Sequence, residues 1–170
     1  MADEPEAIIE AIRTAFAGVP RGRITLHEAE VLDLYGSVAE RKEARRRDTE
    51  ESWDQVPDRD IEECTTALCY LDPEGWRYYL PAYMIWSLRH FRVSNSMASD
   101  ATIYTLNPHA DDSEFRDGAM DRFRRLDLAQ SRTVCRFLRT MAANDEYADG
   151  YMAQVALDAF WSRFSAPRAT

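Results

Sequence analysis

The stretch from Leu68 to Phe91 constrains this chain more than any other part of it. At its centre stands Asp72-Pro73-Glu74-Gly75, with Asp, Pro and Gly at the first, second and fourth positions that a type I turn prefers. Leu68-Cys69-Tyr70-Leu71 precedes it. Trp76-Arg77-Tyr78-Tyr79-Leu80 follows, with Trp76, Tyr78 and Leu80 alternating against Arg77 and Tyr79. A turn between two such flanks predicts a β-hairpin over about residues 67–80. Pro81 then opens a helix, at a position where its missing amide costs nothing. That helix, Ala82 to about Arg92, carries Tyr83, Met84, Ile85, Trp86, Leu88 and Phe91. Apolar residues cover most of its circumference, so other elements must surround it.

The rest of the chain supplies those elements. From Pro5 to Val19, Ile8, Ile12, Ala15 and Phe16 form one helical stripe, which Gly18 and Pro20 end. Thr25 and Glu28 have capping-box spacing and start a helix running from Leu26 to about Arg46, with Val31, Leu34, Tyr35 and Val38 as its apolar face. A short helix from Asp58 to about Thr66 turns Ile61 and Cys64 inward. Residues 94–100 and 107–118 read as loops, with a short strand at Thr102–Leu106 between them. A helix over about Asp127–Ala143 sets Val134, Phe137, Leu138 and Met141 against Arg132, Arg136 and Arg139, and a last helix spans about Glu146–Phe164. The expected fold class is α+β: a mainly helical single globular domain, residues 1–170, with a small hairpin at its centre. A chain of 170 residues, 45% of them hydrophobic, needs no disulfide or metal to sustain a core of this kind.

The net charge of -9 argues against nucleic acid as a partner, because phosphate contacts need clustered positive charge. The charge is uneven. The first 60 residues hold fifteen acids against nine bases, whereas the last 45 residues hold equal numbers. The opening Met1-Ala2-Asp3-Glu4 is acidic, unlike a signal peptide, and no apolar run reaches the length of a membrane span. Three scattered cysteines, Cys64, Cys69 and Cys135, fit reduced, buried thiols. The expectation is a cytoplasmic protein with no membrane association.

No catalytic signature emerges. His27, His90 and His109 are far apart, with no HxxxH, HExxH or CxxC spacing, so the expected metal set is none. His109 with Asp111 and Asp112 reads as a solvated loop rather than a cation cluster. There is no nucleophile elbow and no glycine-rich phosphate cradle, so neither a catalytic residue nor a cofactor is expected. What remains is an aromatic cluster. Trp53, Arg77, Tyr79 and Tyr83 are the candidate partner- or ligand-binding residues, because Trp, Tyr and Arg dominate binding hot spots and a hairpin must point Arg77 and Tyr79 outward. The other aromatics of the cluster read as core.

Two stretches carry a family resemblance. They are Ala15-Phe16-Ala17-Gly18-Val19 leading to Ile24-Thr25-Leu26-His27-Glu28-Ala29 and Asp33-Leu34-Tyr35, and the run from Leu71 to Met84. With Trp53 between them they resemble a family of small bacterial proteins known only as a domain of unknown function. The match covers about the first half of the chain, to Met84. It implies a bacterial, cytoplasmic, single-domain protein and carries over no activity.

Two functional readings follow. The first is a non-enzymatic protein-interaction module with an inhibitor, immunity-type or adaptor role, whose acidic N-terminal surface meets a basic protein partner. The alternative is a small-molecule-binding enzyme with an aromatic pocket around Trp53, Tyr79 and Tyr83, and Asp72 or Asp111 as general base. Homo-oligomer formation through the C-terminal helices is compatible with either.

Overall fold

Asp72-Pro73-Glu74-Gly75 starts a helix and not a hairpin. In the computed structural model, which describes residues 4–109 and 113–165, Pro73–His90 forms one 18-residue helix (α5). Asp72 is extended at its N-cap, Pro73 takes the first helical position, and the Trp76 amide donates to the Asp72 carbonyl at 2.8 Å. A type I turn and the first turn of a helix share nearly the same backbone angles, so the same four residues serve either. The alternation beyond them carries no strand information. Every residue from Gly75 to Leu88 except Arg77 is buried, and a helix enclosed on all sides satisfies an i, i+2 pattern as well as any other. Pro81 lies in the interior of α5, not at its start. No strand occurs among the described residues, and the segment expected as a strand at Thr102–Leu106 is largely helical. The fold is therefore all-α, not α+β, and the hairpin at residues 67–80 does not exist.

Eight further α-helices are described around α5: α1 (Pro5–Ala15), α2 (Leu26–Asp33), α3 (Val38–Ala44), α4 (Asp58–Glu63), α6 (Ala98–Thr105), α7 (Ser113–Phe123), α8 (Leu128–Ala142) and α9 (Gly150–Ala159). Helices α1, α4, α6 and α7 all pack on α5, and α8 packs on α1 and α9. Ile8, Ile9, Ile12 and Phe16 bury the inner stripe of α1, and Val134, Phe137, Leu138 and Met141 that of α8. Residues 107–118, expected as a loop, include the start of α7, whose Ala119 and Phe123 turn inward one helical turn apart.

Polar side chains fix how these helices meet. Three indole N–H groups donate across elements: Trp53 to the Phe16 carbonyl at 2.9 Å, Trp76 to Thr105 Oγ1 at 2.6 Å, and Trp161 to the Leu106 carbonyl at 2.7 Å. Gln130 closes a capping box with Asp127 at the start of α8 and donates from Nε2 to the Ala15 carbonyl at 3.1 Å, at the end of α1.

The helix expected from Leu26 to Arg46 is broken into α2, α3 and a 3-10 turn at Arg45–Arg47. Tyr35 sits in the left-handed region at φ 56°, and Ser37 starts α3 with its own capping box to Glu40. The expected apolar face Leu34, Tyr35 and Val38 is consequently not buried; these side chains are 71%, 96% and 79% exposed.

Candidate functional site

Two glycines set the geometry of the N-terminal half. A Cβ on Gly22 would lie 2.1 Å from the Gly75 nitrogen and 2.4 Å from its Cα, so only hydrogen lets the two backbones approach this closely. The contact seats residues 21–24 on the start of α5. There the Asp72 carboxylate accepts from the Ile24 amide at 2.9 Å and the Arg23 amide at 3.3 Å. Directly after it, Glu28 accepts from the Thr25 amide at 3.0 Å and begins α2. This start turns His27 inward.

Asp48 meets it from the other side, immediately after the 3-10 turn at Arg45–Arg47. Its carboxylate takes both groups of His27: the amide at 3.0 Å and Nδ1 at 2.5 Å. Burial alone would push the Asp48 carboxyl up, but the hydrogen bonds from His27 and Thr25 outweigh it and hold the group below the usual range. The neighbouring Arg21 donates to the Asp48 carbonyl at 2.8 Å and pairs with Glu50, which also accepts from the Tyr79 hydroxyl at 2.6 Å. Burial first, and the Glu50 carboxylate second, push the Tyr79 phenol far up, so it acts as a donor. Two polar clusters, His27–Asp48 and Arg21–Glu50–Tyr79, thus hang from one short link, residues 48–50.

With Nδ1 engaged by Asp48, the other ring nitrogen of His27 points toward α4. His27 is 3% exposed, and its Nε2 is buried without a hydrogen-bond partner. Glu63 Oε2 lies 4.0 Å away. Asp60 and Glu63, one turn apart on α4, offer oxygens that lie with the histidine nitrogen inside a 4.8 Å cluster. Arg47 pairs with Glu63 at 2.7 Å and Arg59 with Asp60 at 3.3 Å. The Cys64 thiol next to this cluster is pushed up to about 12, by burial and then by Glu30 and Asp48, so it stays protonated at neutral pH.

Further along α2 the surface changes character. Leu34, Tyr35 and Val38 project from the α2–α3 junction, and Tyr70 adds another exposed ring. A hydrogen bond to Asp33 pushes the Tyr70 phenol up to about 12. Around this apolar tip stand the exposed acids Glu40 and Glu43 and the half-buried Asp33.

The four binding residues expected from the sequence all lie on or beside α5 but face different neighbours. Trp53 is buried against the end of α1. Tyr79 is fully buried against Glu50, so the outward position expected for it is not found. Tyr83 is fully buried and donates to the Cys64 carbonyl, and Arg77 is half-buried and donates to Gln130 on α8 at 3.1 Å. Asp72, offered as a general base, is committed to two backbone amides. Asp111 and Asp112 lie outside the described residues. Cys64 and Cys135 are buried as expected, whereas Cys69 is exposed.

Sequence reasoning missed Arg21, His27, Asp48 and Glu50, and the facing pair Asp60 and Glu63. The available signals were the D-x-x-E spacing on α4 and the second S-x-x-E capping box at residues 37–40, which would have broken the long helix and exposed the tip.

Residues 4–165 match the model of a family described as a family of unknown function (DUF6714). The match extends through the second half of the chain, beyond the motifs that carried the resemblance. No curated protein and no solved structure matches.

Proposed function

The chain belongs to this family of unknown function, and on that footing we propose that it is a protein-interaction module without catalysis of its own. In this reading it receives a basic protein partner on the face formed by α2, α3 and the link to α4, in an inhibitor, immunity-type or adaptor role. The observation that carries the reading is the tip Leu34-Tyr35-Val38. The Tyr35 backbone, at φ 56°, closes the end of α2, where the Gly36 amide donates to the Val31 carbonyl at 2.8 Å, but its ring is 96% exposed and adds nothing to the core. Glycine would fill that left-handed position at lower cost, by about 1 kcal/mol, so the bulky ring is best accounted for by a contact outside the chain. Glu40 beside the tip would help draw a cationic partner in, while Glu43 pairs with Arg46 and Lys42 is exposed close by, so the apolar side chains would supply most of the contact that holds it. The same reading sets the protein in a bacterial cytoplasm, which the unpaired cysteines favour. No helix among the described residues is long and apolar enough to cross a membrane.

The experiment is site-specific photo-crosslinking. A benzophenone side chain replaces Tyr35 in the full chain, inside cells of the source organism. One stoichiometric basic protein should be captured. Its affinity for the purified chain should fall about 30-fold in Tyr35→Ser, the loss expected of a hot-spot residue worth about 2 kcal/mol, with thermal stability kept. Absence of a stoichiometric partner, or an affinity indifferent to Tyr35→Ser, removes this reading.

A further inference from the structure

We propose that His27, Asp60 and Glu63 form a binding site for a transition-metal dication of the zinc type, which clamps α2 to α4. The inference is independent of the partner reading, and either can fail alone.

The histidine makes the case. Its Nδ1 is spoken for by Asp48 at 2.5 Å, and Asp48 is fixed in turn by the His27 amide at 3.0 Å. A carboxylate on Nδ1 puts the proton there and leaves the lone pair on Nε2. This is the outer-shell arrangement that orients metal-binding histidines and raises their basicity. In His27 that lone pair is buried with no donor facing it. An unpartnered buried acceptor is destabilising, and a cation seated on it removes that cost.

The remaining ligands are where such a cation would need them. Asp60 and Glu63 share one face of α4, and their oxygens lie with the histidine nitrogen within 4.8 Å of one another. Zinc–ligand bonds of about 2.0–2.1 Å put ligand atoms about 3.4 Å apart in a tetrahedral site. The His27–Glu63 pair, 4.0 Å apart, must therefore close by about 0.6 Å, and no pair by more than about 1.4 Å. Glu63 can supply this movement, since it ends α4 and its side chain is 55% exposed. Its present partner Arg47 is equally exposed and can exchange the carboxylate for water. One imidazole with two carboxylates selects zinc and its first-row neighbours over magnesium and calcium, which prefer oxygen alone.

The test titrates ZnCl2 into the full chain stripped with a chelator, followed by calorimetry and by thermal melting, with MgCl2 as the comparison. We expect one saturable zinc site per chain that raises the melting temperature, and no such effect of magnesium. Glu63→Gln, on the exposed end of α4, and Asp60→Asn, a near-isosteric change at a buried position, should each weaken zinc binding about 10-fold or more, and Asp48→Asn about 10- to 100-fold through the histidine. Arg47→Ala should tighten zinc binding, because it frees Glu63; a merely structural ion pair would not give this result. The proposal is overturned if zinc does not bind saturably. It is equally overturned if zinc binds with the same affinity in Glu63→Gln and Asp60→Asn, which would place the ion elsewhere on the surface.

Discussion

A single methyl group is enough to separate the two glycines on which the N-terminal half is hung. In Gly22→Ala the new Cβ meets backbone atoms of Gly75 and Glu74, none of which can rotate away. The substitution should cost about 3 kcal/mol, at the upper end of overpacking, and lower the urea midpoint at unchanged slope. Gly118→Ala is the contrast. It lies within α7 with nothing within 4 Å of its Cβ, so it should gain about 0.5–1 kcal/mol from helix propensity alone. Asp48 adds a pH dependence. Its folded pKa is depressed, so the unfolded chain binds the proton more readily. The stabilisation is therefore complete above the unfolded value, about 3.9 for Asp, and is lost as pH falls from there through the lower folded value. Unfolding free energy measured between pH 5 and pH 2 should drop less steeply in Asp48→Asn than in the parent chain. An equal slope in both would mean that Asp48 contributes none of the acid sensitivity.

At the scale of elements, α5 shows what a sequence reader can and cannot see. The circumferential burial of its second half was legible, because Tyr83, Met84, Ile85, Trp86 and Leu88 cover most of its circumference and only a surrounded helix accepts that. Its first half was not. Asp-Pro-x-Gly encodes one turn of near-helical backbone, and whether the chain then reverses or continues depends on what packs against it. Here residues 21–24 do, and they arrive from 50 positions away. The Asp72 carboxylate is where that long-range choice is made, because it binds the Ile24 and Arg23 amides. Asp72→Ala should cost about 1 kcal/mol by leaving the part-buried Ile24 and Arg23 amides without their acceptor. Asp72→Asn should cost less, since Oδ1 can still accept from Ile24. Denaturant titrations of the two variants separate the cases, and equal losses would show that charge matters and acceptance does not. The α2–α3 break follows the opposite pattern: its second capping box, Ser37 to Glu40, was local and readable.

For the molecule as a whole, the acidic excess of the first 60 residues does not all reach the surface. Many of the N-terminal acids are spent internally, as Glu28 is on Arg45, Glu50 on Arg21, and Asp48 on His27. Glu40 and Glu43 stay at the surface. Reversing both to Lys should slow association with a basic partner several-fold at low salt, an effect that fades as ionic strength rises. Reversing the exposed Glu146 and Asp158, before and on α9, should leave the rate unchanged. Stopped-flow measurement at two salt concentrations decides the matter, and identical slowing by both pairs would reduce the net charge to a matter of solubility. The helical stripes of α1 and α8 were evident from periodicity, but the fact that they pack on each other was not, since nothing local announces a partner more than a hundred residues away. That pairing, sealed where Gln130 reaches the Ala15 carbonyl across 115 positions, has a consequence during synthesis. At about 5–20 residues per second, roughly 6–23 s pass between the two residues. For all that time the isoleucine stripe of α1 leaves the ribosome without the helix that is to cover it. A helix made well before α8 is thus among the last to be finished, and the growing chain offers its sticky amphipathic face to whatever chaperone waits at the tunnel exit.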